Sequence, residues 1–162
     1  MVAMKRCDSG IAAVGRFCSW LTVVVVVLIF VIVVFRYAFN LGWIWLQEGV
    51  TYLHATVFML GTAWTLALDG HVRVDIFYRD MPDRRKALVN LLGTVLFLLP
   101  FCLFCLYISM EYVLASWQVL EGSREAGGMP GVYLFKTLIP LMALLLLLQG
   151  VLLLVRQYRL LK

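Results

Sequence analysis

Charge is what this sequence lacks most. Only 14% of its residues are Asp, Glu, Lys or Arg, against roughly 25% in ordinary soluble domains. A 162-residue chain that is 64% hydrophobic cannot bury that much apolar surface in one aqueous core. Histidine is equally scarce, with 2 residues, His54 and His71. They fall at different depths of one apolar segment and cannot share a metal ion without distorting it. His71 and Asp75, at i and i+4, offer two ligands, which is short of a site. No Ser/His/Asp set, HExxH pair or glycine-rich phosphate loop is present, so neither catalysis nor a bound cofactor or metal is expected. The 4 cysteines are Cys7, Cys18, Cys102 and Cys105. Cys102 and Cys105 have redox or zinc half-site spacing. They lie in an apolar run without a second pair, so they read as small buried hydrophobes. A net charge of +5 raises nucleic acid as a partner, but the basic residues are split among segment ends and form no stripe for phosphates to follow.

What the sequence has in abundance is long apolar runs. Four segments, about 11–35, 43–68, 87–117 and 132–155, are long enough to cross roughly 30 Å of hydrocarbon at 1.5 Å per residue. The run VVVVV at 23–27 would favour a strand in water. In lipid an open chain must satisfy every backbone N–H within its own segment, so helix is the expectation. The first apolar run exceeds a signal-peptide h-region and has no A-x-A site before Arg36, and it is taken as a retained helix. The fold class is therefore all-α, a single membrane domain over 1–162. Four transmembrane helices are joined by a short amphipathic cytoplasmic segment between the second and third. Lys and Arg set the orientation. Three lie near the N-terminus, five at 73–86 and three near the C-terminus, so that 11 of the 14 fall on one side. Both termini are accordingly expected in the cytoplasm. The third segment is too long for the bilayer, which predicts strong tilt, a kink near Pro100 or an outward-projecting end.

Ionisable groups inside a span are costly and call for a reason. The second segment carries Gln47, Glu48 and His54. Gln47, Thr51, His54, Phe58, Gly61 and Thr65 recur at helical spacing and share one face. Small residues and interhelical hydrogen bonds are what membrane helices use to associate, so this face reads as packing or partner-contact surface. Glu48 falls near the outer boundary, where Arg36 at the end of the first span is positioned to neutralise it.

The order of short motifs then points to a family. Arg36-Tyr37-Ala38-Phe39-Asn40 is followed by Trp45-Leu46-Gln47-Glu48. Gly70-His71-Val72-Arg73-Val74-Asp75 and Met81-Pro82-Asp83-Arg84-Arg85 come next. Gly127-Gly128-Met129-Pro130, Lys136, Ile139-Pro140 and Gln149-Gly150 complete the set. In that order and spacing the chain resembles the DctQ-like small membrane subunit of tripartite ATP-independent periplasmic (TRAP) transporters. Gln47 stands where many members carry a second acidic residue. The resemblance implies a non-catalytic, multi-pass scaffold in a bacterial inner membrane. Its partners would be a large membrane subunit, which carries the substrate and sodium sites, and a periplasmic binding protein. That binding protein would deliver an organic acid such as a C4-dicarboxylate for symport. Arg36, Trp45, Gln47, Glu48, Thr51, His54, Phe58, Gly61 and Thr65 become candidates for the subunit interface. Gly70, His71, Arg73, Asp75, Arg84 and Arg85 become candidates for the cytoplasmic turn, where the cations meet anionic lipid headgroups. Two rival classes fit less well. A self-sufficient homo-oligomeric four-helix transporter needs a membrane-central carboxylate, and a haem- or quinone-anchoring subunit needs paired intramembrane histidines.

Overall fold

The computed structural model describes residues 2–71 and 75–161, with side chains from residue 9 onward except at 75. All regular structure among them is helical. Helix α1 spans Val2–Ala38 and α2 spans Ile44–Ala67. A single turn, α3, covers Asp75–Tyr78, and α4 covers Asp83–Gly93. A π-helical turn at Thr94–Leu98 runs into α5, Leu99–Gln118, and α6 spans Val132–Leu161. The valine-rich stretch of α1 is helical, as internal hydrogen bonding in lipid demands.

Among the described residues, three helices are long and apolar enough to cross a membrane: Ser9–Ala38, Asp83–Gln118 and Val132–Leu161. Helix α2, expected as a fourth span, is not among them, although its 24 residues would reach about 36 Å. Gln47, Glu48, His54 and four threonines interrupt its apolar run. Those hydroxyls are nonetheless served within the helix. Thr51, Thr56, Thr62 and Thr65 each donate to the carbonyl four residues earlier, at 2.7–3.1 Å. This back-bonding is how a hydroxyl survives where water is absent.

Helix ends follow from local chemistry. At the end of α2, the Gly70 N–H donates to Thr65 O (2.9 Å) and the Asp69 N–H to Leu66 O (3.2 Å), with Asp69 left-handed at φ 58. This is a Schellman cap in which Asp tolerates the conformation usually reserved for glycine. The end of α5 repeats the pattern: Glu121 N–H to Ser116 O, Leu120 N–H to Trp117 O, Leu120 at φ 45. Pro82, extended at ψ 151, starts α4, with Asp83 in the first turn where a carboxylate meets the positive end of the helix.

The long third segment, 36 residues from Asp83 to Gln118, extends about 54 Å. A kink was expected near Pro100. The structure places the π-turn just before it, with the Leu99 N–H reaching back to Thr94 O. Proline lacks an N–H and crowds the carbonyl four residues earlier, and the wider turn falls where that conflict arises.

Helix α6 is the hub, packing against α2, α4 and α5, while α1 packs against α2. Two close approaches explain this. Gly15 of α1 lies against the Trp64 ring of α2, where a Cβ would collide with it. A Cβ at Gly150 of α6 would sit 3.0 Å from Leu98 and 3.3 Å from Leu99. The buried centre is Ala63, Cys102 and Leu146, ringed by Leu66, Leu98, Met142 and Leu145.

Candidate subunit-interface site

The stripe on α2 is uncovered by the rest of the chain. Gln47, Thr51 and His54 are exposed, and Phe58 is 71% exposed, although the opposite face buries Ala63 against α5 and α6. Gly61 and Thr65 are half-buried. With Phe58 they line a groove of about 700 Å³ between α1 and α2, whose other wall carries Gly15, Cys18 and Ser19. A Cβ on Gly61 would meet nothing within 4 Å, so this glycine opens the surface without being required by the chain's own packing. Because Thr51 and Thr65 donate to Gln47 O and Gly61 O, unmet polar demand concentrates on the Gln47 and His54 side chains. Trp45 and Arg36 are exposed at the same end of the molecule.

Glu48 does not have the partner expected for it. Its Oε1 accepts from Ser123 Oγ at 2.5 Å, and its Oε2 accepts from the Met129 N–H at 2.6 Å. The carboxylate thus ties the loop between α5 and α6 to the first turn of α2. Gly128 makes this possible, since a Cβ there would lie 2.7 Å from Glu48 Oε2 and would collide with Ser123. Hydrogen bonds to an ionised acceptor are about twice as strong as neutral ones, and two of them answer the charge without Arg36.

A second cluster supports the loop from behind, and sequence reasoning missed it. Glu121 accepts from Ser116 Oγ at 2.7 Å and pairs with Lys136. The Lys136 ammonium also sits 3.9 Å from the centre of the Tyr112 ring, a cation–π contact. These contacts hold the Glu121 carboxyl below its ordinary value, the Lys136 hydrogen bond first and Ser116 next. Trp117 Nε1 donates to Thr137 Oγ1 at 2.9 Å, and Tyr52 stacks on Phe135 at 4.5 Å. The one available signal was Lys136 itself, a lysine in the first turns of an apolar helix and therefore in need of a counter-charge.

Of the cytoplasmic-turn candidates, Gly70 caps α2 through its N–H to Thr65 O. His71 is exposed and borders the α1/α2 groove, and Arg84 and Arg85 are exposed on the first turn of α4. Arg73 and the side chain of Asp75 lie outside the described residues. Among the described residues, no three His, Cys, Asp or Glu side chains gather where they could hold a metal ion.

The site is thus an uncovered helix face beside a braced loop. Residues 25–160 match the model of the family described as tripartite ATP-independent periplasmic transporters, DctQ component. The chain belongs to the DctQ family. It is thereby a small membrane subunit of a TRAP transporter, and three of its described helices are long and apolar enough to cross a bilayer. Neither the curated proteins nor the solved structures gave a match. Within the DctQ match fall Arg36, the whole α2 stripe, the loop clasped by Glu48 and the turn between α2 and α4.

Proposed function

We propose that the chain is the non-catalytic, static subunit of a TRAP transporter. It scaffolds a large membrane subunit during sodium-coupled, binding-protein-dependent uptake of an organic acid, in a bacterial inner membrane. In this reading all four long helical segments cross the bilayer, with both termini in the cytoplasm. The observation that carries the proposal is the uncovered face of α2: Gln47, Thr51, His54 and Phe58 are exposed beside an open Gly61. A glutamine and a histidine facing hydrocarbon would be costly, and a helix of a partner subunit relieves that cost. Each interhelical polar contact contributes only about 0.6 kcal/mol, so the contact would rest on many small terms. The loop held by Glu48 and Glu121 would stand on the outer side, near the binding protein. The decisive experiment is co-purification with the candidate large subunit, followed by substrate uptake in proteoliposomes. Uptake that requires both chains and the binding protein supports the reading. A homo-oligomer of this chain that moves substrate alone overturns it.

A further inference from the structure

At the cytoplasmic turn a second groove, about 480 Å³, opens between the end of α2, α4 with its π-turn, and α6. Its lining includes Leu66, Tyr78, Val89, Asn90, Gly93 and Leu153, so its depth is apolar and its mouth polar. The mouth is organised. Tyr78 of α3 accepts a hydrogen bond from Asn90 Nδ2 at 2.9 Å, and the Lys86 ammonium lies 5.7 Å from the centre of the Tyr78 ring. Lys86, Asn90 and Gly93 stand at i, i+4 and i+7, on one face of α4. The cation therefore sits one turn above the amide and two above the glycine. From Val89 to Leu98 the wall runs about 13 Å, all of it beneath Lys86. Gly93 is regular helix at φ −59 and ψ −39, yet a Cβ there would meet nothing within 4 Å. The floor of the groove is thus empty because of a missing side chain and not because of a backbone requirement. Beside the mouth, Ile76 and Phe77 of α3 are 77% and 79% exposed, which suits residues dipping into a lipid interface.

We propose that this groove is a site for one phospholipid with a net negative headgroup, an acyl chain lying beside Gly93 and the phosphate against Lys86. The charge that would meet an anion is Lys86, which does not itself line the groove but lies beside the ring of Tyr78, which does. Asp80 and Asp83 precede Lys86 and are exposed to solvent, Asp83 in the first turn of α4. The Tyr78 ring face draws the ammonium toward the groove, which orients it for an anion. A zwitterionic lipid brings its own ammonium and gains little from Lys86. The inference rests on the helices being membrane-spanning, but not on partnership with a large subunit.

The test uses the full chain purified in detergent and offered equal amounts of phosphatidylglycerol and phosphatidylcholine with identical acyl chains. Adducts are read by native mass spectrometry, and helicity by circular dichroism. The expected result is selective retention of phosphatidylglycerol. Lys86→Gln should cut that preference about five-fold, the weight of one interfacial cation, and leave the phosphatidylcholine signal unchanged. Gly93→Phe should fill the floor and remove both adducts at unchanged helicity. Equal retention of the two lipids by the unmodified chain overturns the proposal. So does a Lys86→Gln chain with undiminished preference, whatever Gly93→Phe does to folding.

Discussion

At the scale of single residues, two glycines make opposite predictions. Gly15 touches the Trp64 ring inside the chain, whereas Gly61 faces open space. Gly15→Leu should loosen α1 from α2 in the isolated subunit, at an overpacking cost of about 1–3 kcal/mol, read as a lower melting temperature in detergent. Gly61→Leu should leave that temperature unchanged but reduce co-purification with the large subunit, because it holds a partner helix at a distance. A Gly61→Leu chain that binds its partner normally would remove Gly61 from the interface. Gln149 carries a different lesson. It is 0% exposed, and among the described residues neither its Oε1 nor its Nε2 has a hydrogen-bond partner. An amide buried this way costs roughly 1–3 kcal/mol. Gln149→Met, close in volume and without that cost, should raise the melting temperature. A lower one would mean that the amide is bonded in solution, through internal water.

At the scale of elements, the sequence was most readable in the placing of its helices. The segment expected over 43–68 is helical as α2, Ile44–Ala67, although α2 is not among the helices apolar enough to cross a membrane, and the fourth segment, expected to start at 132, is α6 from Val132. The end of α6 was read short because Arg156, Gln157 and Arg159 break the apolar pattern. The helix continues to Leu161, since backbone hydrogen bonding does not require apolar side chains. The loop clasp was illegible for another reason. Glu48 and Ser123 lie 75 residues apart, and no local period links them, so an arginine nearer in sequence looked like the natural partner. The clasped loop also has a definite response to acid. Glu121 is held below its ordinary value near 4.5, so the ionised form is what the folded loop favours. Its contribution is complete above that ordinary value and disappears as pH falls through the lower folded value. A cysteine placed at Ala126 should thus react with maleimide-free thiol probes, such as a disulfide reagent, at a pH-independent accessibility down to about 4.5. Below that its reactivity, corrected for thiolate content, should rise. Glu121→Gln should already give the high reactivity at neutral pH, and an unchanged profile in that variant would detach Glu121 from loop order.

At the scale of the whole molecule, orientation is the quantity that basic residues set and helical coordinates alone do not. In the four-span arrangement proposed above, 11 of 14 basic residues fall on the cytoplasmic side, so a cysteine at Gly127 should react with an impermeant maleimide in intact cells, and one at Arg84 should not. The reverse pattern would invert the molecule and move the phospholipid groove to the outer leaflet. The two ends differ in construction as well. The end with the α5–α6 loop is tied by carboxylates from Glu48 and Glu121, the end with the α2–α4 turn by Tyr78, Lys86 and Asn90. Between these ends the π-turn at Thr94–Leu98 acts as a phase shifter. It adds one residue to a screw that otherwise advances about 100° per residue. The faces of α4 and α5 that look toward α6 are therefore out of step in sequence though continuous in space. Deleting one residue from the turn itself would restore a regular helix and leave Lys86, Asn90 and Gly93 in place relative to buried Cys102, Ser109 and Val113, because the extra residue is what the wider turn absorbs. Deleting one residue from the regular helix on either side, with the turn kept, would swing those two groups apart by about 100°. A one-residue gap should therefore be tolerated inside the turn and disruptive just outside it.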